Sequence, residues 1–193
     1  MMGSVNNVVG DLEAGMLLLA TPDLLDPNFV DSVVLLLDVN DDGALGVVLN
    51  RPSALPVSEV LGEWGDVVDE PEVLFQGGPV STDGALAVAL ATPGGEDAVG
   101  FRSVADRLGL LDLDTPTELV VGTVEKLRIF AGYAGWGAGQ LQGEIEEGSW
   151  YAVPGRADDV FRNDTRDLWR DVMRRQPGDL ALHATRPADP ELN

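Results

Sequence analysis

The residues that could carry chemistry are few. The chain has one histidine, His183, and no cysteine, which removes thiolate catalysis, thiolate metal sites and disulfides together. General base work by an imidazole usually wants a carboxylate partner. Asp179 is four residues away, which on a strand is about 13 Å. A serine triad would have to route through the same histidine, and no Gly-x-Ser-x-Gly elbow is present. Only carboxylate sites for hard cations stay open. Asn40, Asp41 and Asp42 are such a cluster, but they lack the alternating spacing and closing glutamate of a calcium loop and read as a hairpin turn. No metal and no cofactor is expected.

The glycine-rich stretch GYAGWGAGQL, residues 132 to 141, is the next candidate. A phosphate-binding Walker loop needs Gly-Lys-Ser/Thr, and nothing of the kind follows Gly139. In a dinucleotide fingerprint, Gly137 and Gly139 satisfy the first two glycine positions. The third falls on Gln142, and Gly143 comes one residue late. The stretch reads instead as a sharp strand-to-helix corner, with Gly135 and Gly137 bending the chain around Trp136. Trp136 then plugs the core or lines a groove.

The elements that must position these residues follow from apolar patterning. Met16 to Ala20 reads as a buried strand, and Thr21 to Asn28 as a turn-rich connection. Val33 to Val39 and Ala44 to Leu49 flank a short polar loop and read as a β-hairpin, stopped by Asn50, Arg51 and Pro52. Val57 to Trp64 fits one helix with Val57, Val60, Leu61 and Trp64 on one face. Strands are expected at Val73 to Phe75, Ala85 to Ala91, Leu110 to Leu113, Leu127 to Gly132 and Trp150 to Val153, and a loop at Thr92 to Ala98. Thr115 to Glu118 has the form of a capping box with proline at the first helical position, predicting a helix from Pro116 to Glu125. A short helix is expected at Gln140 to Glu146, a long one up to Gln176, and a last strand at Leu180 to His183. Strands and helices mix without βαβ alternation, which argues for an α+β fold. Residues 1–14 are expected to be a flexible N-terminal arm and 15–193 a single domain.

The net charge is −21, which repels phosphate backbones and anionic membranes. No apolar run approaches the roughly 18 residues of a membrane span, and the start lacks a signal-peptide pattern, so a cytoplasmic protein is expected. Basic residues are uneven. Arg162, Arg166, Arg170 and Arg174 recur every four residues, so a continuous helix over 156–175 would align them in a stripe, whereas a new helix capped by Asn163, Asp164 and Thr165 would detach Arg162. Interleaved aspartates make that segment close to neutral, as in a salt-bridged amphipathic helix. The alternative is a patch for an anionic partner such as nucleic acid.

Four stretches, GMLLLATPDLLDPNFVDSVVLLL, DDGALGVVLNRP, LFQGGPV and GYAGWGAGQLQGEI with Trp150, together resemble the YqgE/AlgH family in the same order. The likeness runs from Gly15 to about Trp150, and the tail DPELN resembles endings of actinobacterial members. The resemblance implies an α+β fold with a bifurcated, mostly antiparallel β-sheet curled into a pseudo-barrel and peripheral helices. One branch of that family is linked to transcriptional control of alginate synthesis. Family members often carry histidine where this chain has Val39, and some carry cysteine where it has Leu37, so chemistry built on those groups cannot operate here.

The positions matching the family are mostly glycine, proline and amide: Asn50, Arg51, Pro52, Gly77, Gly78 and Pro79, then Tyr133, Gly135, Trp136, Gly139 and Gln140. Three motifs that each end a strand can converge into one surface. Asn50 and Gln140 offer uncharged donors and acceptors, Arg51 a planar fork for carboxylate or phosphate, and Trp136 a flat apolar wall. Such a set holds a small ligand or a protein partner better than it moves protons. The expected function is therefore a non-enzymatic ligand- or protein-binding regulatory protein, a transcriptional regulator acting indirectly. Its partner is a protein or small ligand rather than nucleic acid or membrane. Two alternatives stand: an enzyme on a small anionic substrate, with Arg51 as clamp and Asp26 as base, and nucleic-acid binding through the 156–175 arginine helix.

Overall fold

Alternating side chains explain why the first strands are apolar throughout. In strand β1 (Leu17–Ala20) and strand β2 (Val33–Asn40), odd-numbered residues such as Leu17, Leu19, Val33 and Leu35 enter one core cluster, while Leu18, Ala20, Val34 and Leu36 enter another. The sheet is covered on both faces here, and the period of two therefore leaves no polar side to these strands. A computed structural model describes residues 12–94 and 98–185, the side chains of 182–185 excepted.

The remaining strands are β3 (Gly43–Val48), β4 (Pro52–Pro56), β5 (Val73–Gln76), β6 (Val80–Ala91), β7 (Phe101–Ala105), β8 (Leu108–Leu111), β9 (Val124–Gly137) and β10 (Trp150–Val153). Their order is β10-β1-β2-β3-β9-β6-β8-β7, with β5 branching from β9 and β4 pairing with β5. Every pairing is antiparallel except β5 with β9, where Phe75 faces Phe130 and Gln76 faces Ala131. The result is a curled, forked, mostly antiparallel sheet with a few short helices, an α+β fold.

The fork lies in β9. Its first part, Val124–Ala131, pairs with β6, while Ala134 to Gly137 pair with β3. Between them Gly132 sits at φ +72°. A Cβ there would stand 2.4 Å from the carbonyl oxygen of Gly78, so glycine is needed for both conformation and space.

Helices fill the openings. Helix α4 (Ala157–Phe161) and helix α5 (Leu168–Arg174) send Val160, Phe161, Leu168, Val172 and Met173 into the central cluster with Leu17, Leu35 and Phe130. Helix α3 (Gln140–Glu146) closes the second cluster through Leu141 and Ile145. Helix α1 (Val57–Leu61), a following 3-10 turn (Gly62–Asp66) and helix α2 (Thr117–Val120) cover a third cluster, which holds Val57, Trp64, Leu127 and Ile129.

Several expectations are corrected. The helix expected from Pro116 to Glu125 is only Thr117–Val120, without a side-chain cap. Gly122 turns the chain at φ +87°, and Val124 and Lys126 pair with Ala91 and Leu90 of β6, so sheet pairing overrides the capping pattern. The Val57 to Trp64 helix breaks at Gly62, φ +50°, leaving Val60 exposed. The stretch from Gly132 to Gly137 is strand, not corner. Gly135 and Gly137 pair with Leu45 and Gly43, and the corner is Ala138–Gly139, with Gly139 at φ +73°. Pro52 does not end a ladder but opens β4, and β7 was not foreseen. Leu180 to His183 lie on a 3-10 turn, Gly178–Thr185, rather than a strand. Of the N-terminal arm, residues 1–11 lie outside the described residues, as do residues 95–97 of the expected loop and the DPELN tail.

The continuous arginine helix is also corrected. Arg162 is extended and separates α4 from α5. The buried Arg128 donates to the carbonyls of Val160 and Arg162, both at 2.9 Å, which caps α4 and prevents its continuation. Arg162 and Arg174 pair with Asp171, Arg166 with Asp164, and Arg175 with the buried Asp159.

Candidate functional site

The turn after β3 and the turn after β5 lie side by side, because Val48 donates its N–H to the carbonyl of Gly77 at 2.8 Å. Between them opens a cleft of about 400 Å³. Arg51, Ser53 and Leu55 line it from β4 and its approach, and Leu74, Phe75 and Gln76 from β5. Gly78, Pro79 and Thr82 border it from the next segment, Ala131 from β9 and Asn28 from the loop before β2.

Gly77 and Gly78 make this crossing possible. A Cβ on Gly77 would lie 2.3 Å from the Gly132 carbonyl oxygen, and one on Gly78, at φ +154°, 2.3 Å from the Tyr133 carbonyl. The two glycines let one backbone pass directly over β9. Beyond Pro79, β6 bulges: Val80 pairs with Tyr133 and Ala85 with Ala131. The intervening Ser81 to Gly84 are pushed out as an exposed rim.

Among the described residues, Arg51 is the one charged side chain on the cleft. Its Nη1 donates to the carbonyl of Asn28 and its Nη2 to that of Val30, at 3.0 Å. Those bonds use two of the five N–H donors of a guanidinium. Ser53 is already engaged, donating to the Leu74 carbonyl at 2.6 Å and accepting from Leu55 N–H at 3.2 Å. Gln76 and Thr82 are exposed.

The other matched residues behave differently. Asn50 accepts from Val33 N–H at 3.0 Å and donates to the Asp31 carbonyl at 2.9 Å, so its amide clips the loop before β2. Asp31 is held at φ +58°, a conformation that L residues with side chains seldom adopt. Pro52 is exposed opposite Phe75, and Tyr133 is half-buried opposite Val80. Gly135 is exposed within β9. Gln140 accepts from Gly137 N–H at 2.9 Å and fixes the corner. Trp136 is 6 % exposed and is a core plug, not a wall of this cleft. It stacks on Phe29 at 6.2 Å and meets Trp150 edge-on at 6.0 Å, while Phe29 meets Trp150 at 5.6 Å. Of the three motifs, Arg51, Gly78 and Pro79 reach the cleft. Asp26, weighed as a base, caps Asn28 N–H at 2.8 Å and is not among the cleft residues.

One residue escaped the sequence reading. Arg128 is 1 % exposed on β9. Besides α4 it donates to the Glu70 carbonyl at 2.8 Å, and its guanidinium carbon lies 4.3 Å from the Phe75 ring centre. Burial lowers its pKa to about 10, partly offset by the nearby Asp69 carboxylate, so it is charged at neutral pH. The only sequence signal was an arginine set inside an apolar run, between Leu127 and Ile129–Phe130. Among the described residues, no group of three or more His, Cys, Asp or Glu could hold a metal ion.

The forked sheet and the glycine crossing define an α+β domain of a recognisable kind. The family model described as AlgH-like matches residues 17–181, and the chain belongs to that family. A UPF0301 protein of Streptomyces coelicolor is 55 % identical over 93 % of this chain and 94 % of its own. One of Thermobifida fusca is 52 % identical with the same coverage. Among solved structures, the crystal structure of protein DIP2367 from Corynebacterium diphtheriae superposes with a TM-score of 0.86 at 35 % identity, over 91 % of this chain and 93 % of that one. The solution structure of AlgH from Pseudomonas aeruginosa gives 0.68 at 29 % identity, over 90 % and 94 %. Among the described residues, no helix is long and apolar enough to cross a membrane.

Proposed function

We propose that this chain is a non-enzymatic binding protein with a regulatory role, receiving a small ligand or a partner's group in the cleft beside Arg51. The observation that supports it is the make-up of the cleft. A guanidinium with unused donors shares the space with Leu55, Leu74, Phe75 and Pro79, and among the described residues no carboxylate or histidine lines it to act as a base. The resemblance to the YqgE/AlgH family, one branch of which is linked to transcriptional control, supports a regulatory role exerted through another molecule. Direct contact with DNA fits poorly, because the net charge is −21 and Arg162, Arg166, Arg174 and Arg175 already pair with aspartates.

Affinity capture from lysate, with native chain and the Arg51→Gln variant side by side, tests the reading. A small molecule or partner retained by the native chain and lost by the variant is the expected result. Equal retention by both removes the cleft from the function. Turnover in a broad hydrolase screen that Asp26→Asn abolishes would overturn the non-enzymatic assignment.

A further inference from the structure

Resting on the reading of this cleft as a binding site, we infer that its ligand is a small monocarboxylate: an organic acid whose carboxylate meets Arg51 and whose apolar body lies along Leu55, Leu74 and Pro79. The charge of the site carries the argument. In a chain with 33 acidic residues, this cleft is lined, among the described residues, by one cation and by no anion. A neutral ligand offers the unused Arg51 donors an uncharged acceptor at best, whereas an anion satisfies them with charge-assisted hydrogen bonds.

The same facts set the limit of one negative charge. Arg51 shares its guanidinium with the carbonyls of Asn28 and Val30, and among the described residues no lysine or second arginine borders the cleft. A phosphate monoester, with close to two charges and three acceptor oxygens, would be left undercompensated. A carboxylate brings one charge and two acceptors, against the three N–H donors that the bonds to Asn28 and Val30 leave on Arg51. The walls favour an apolar remainder: Leu55 is 42 % exposed, Pro79 is exposed beside it, and the space of about 400 Å³ lies within the range of small-ligand sites.

The test is an NMR titration of the full ¹⁵N-labelled chain with 4-phenylbutyrate, its uncharged amide 4-phenylbutyramide, and inorganic phosphate. The acid is expected to give saturable shifts centred on the amides of Gln76, Gly78, Thr82 and Ala131. The amide and phosphate should bind at least about tenfold more weakly, the loss expected when one charge-assisted hydrogen bond goes unmade. Arg51→Gln should weaken the acid by about the same factor, and Arg51→Lys by less. Leu55→Asp changes an exposed side chain, leaves the loop clamp of Arg51 intact and places a like charge in the cleft, so it should also abolish acid binding. Equal binding of acid and amide at these residues overturns the carboxylate assignment and leaves the cleft as a neutral-ligand site. No saturable shift there with the acid, or acid binding untouched by both Arg51→Gln and Leu55→Asp, also overturns it. The lysate capture then decides separately whether the cleft binds anything.

Discussion

Replacing Gly78 with alanine is the sharpest test of how the cleft is built. The new Cβ would lie 2.3 Å from the carbonyl carbon and oxygen of Tyr133 and 2.6 Å from Ala134 N. All three are backbone atoms, so no rotamer change can make room. Two penalties add. A φ of +154° is sparsely populated by residues with side chains, at about 1–3 kcal/mol. Pushing β9 against a packed core adds roughly 1–3 kcal/mol. The sum, roughly 2–6 kcal/mol, is a large share of the ~5–15 kcal/mol that usually holds a domain together. Gly139 is the control, because its φ is +73° but nothing lies within 4 Å of its missing Cβ. Alanine there carries only the left-handed penalty, about 1–2 kcal/mol. Urea unfolding of the native chain, Gly78→Ala and Gly139→Ala, compared through their midpoints at constant m, measures the difference. Gly78→Ala should be the more destabilised in every case. Equal losses in the two variants would refute the backbone crossing as the reason for glycine.

Trp136→Ala should lose about 3–5 kcal/mol, because it empties a buried aromatic contact with Phe29 and Trp150; near-UV circular dichroism and thermal melts read the loss, and native stability would mean that the ring is not packed. Arg128→Met should cost several kcal/mol, since the carbonyls of Val160, Arg162 and Glu70 lose their donor at about 1–3 kcal/mol for each buried orphan. Hydrogen exchange should then rise first in residues 157–175, and a variant as stable as the native chain would show that desolvating the guanidinium outweighs its bonds. Arg166 holds the Asp164 carboxyl down to about 2 from 3.8 through hydrogen bonds and charge. The small stabilisation from that exposed pair is present above 3.8 and fades as pH falls through about 2; an NMR titration midpoint near 3.8 would show the pair unformed in solution.

The parts of the fold legible in the sequence were those in which apolar pattern and element coincide. The β2–β3 hairpin declared itself through Val33 to Leu49, and α3 and β10 appear with the bounds that their flanking glycines and aromatics implied. β7 was missed because Arg102 and Ser103 are exposed on an edge strand and leave no apolar run. The length of β9 was hidden by Gly132, Gly135 and Gly137, which have poor strand propensity by themselves. Their pairing with β3 and their crossing with Gly78 are long-range facts that no local window contains. At the cleft, Arg51 was legible as a fork. Its use on Asn28 and Val30 was not, because a backbone carbonyl has no sequence signature. Trp136 was legible as a fixed point, but only the positions of Phe29 and Trp150 assign it to the core.

The forked strand also bears on the order in which the chain can form. β9 is made after β3, β5 and β6, yet it is the common neighbour of all three. During synthesis, the sequence through residue 120 can close the β2–β3 hairpin, but β3 and β6 must each wait with one edge of N–H and C=O groups unpaired. Such edges are templates for wrong partners, and pairings this distant along the chain form slowly. Val124 to Gly137 is therefore the strand whose arrival joins the two arms of the sheet. The strong negative charge, which repels other copies of the same chain, protects the open edges until that strand arrives.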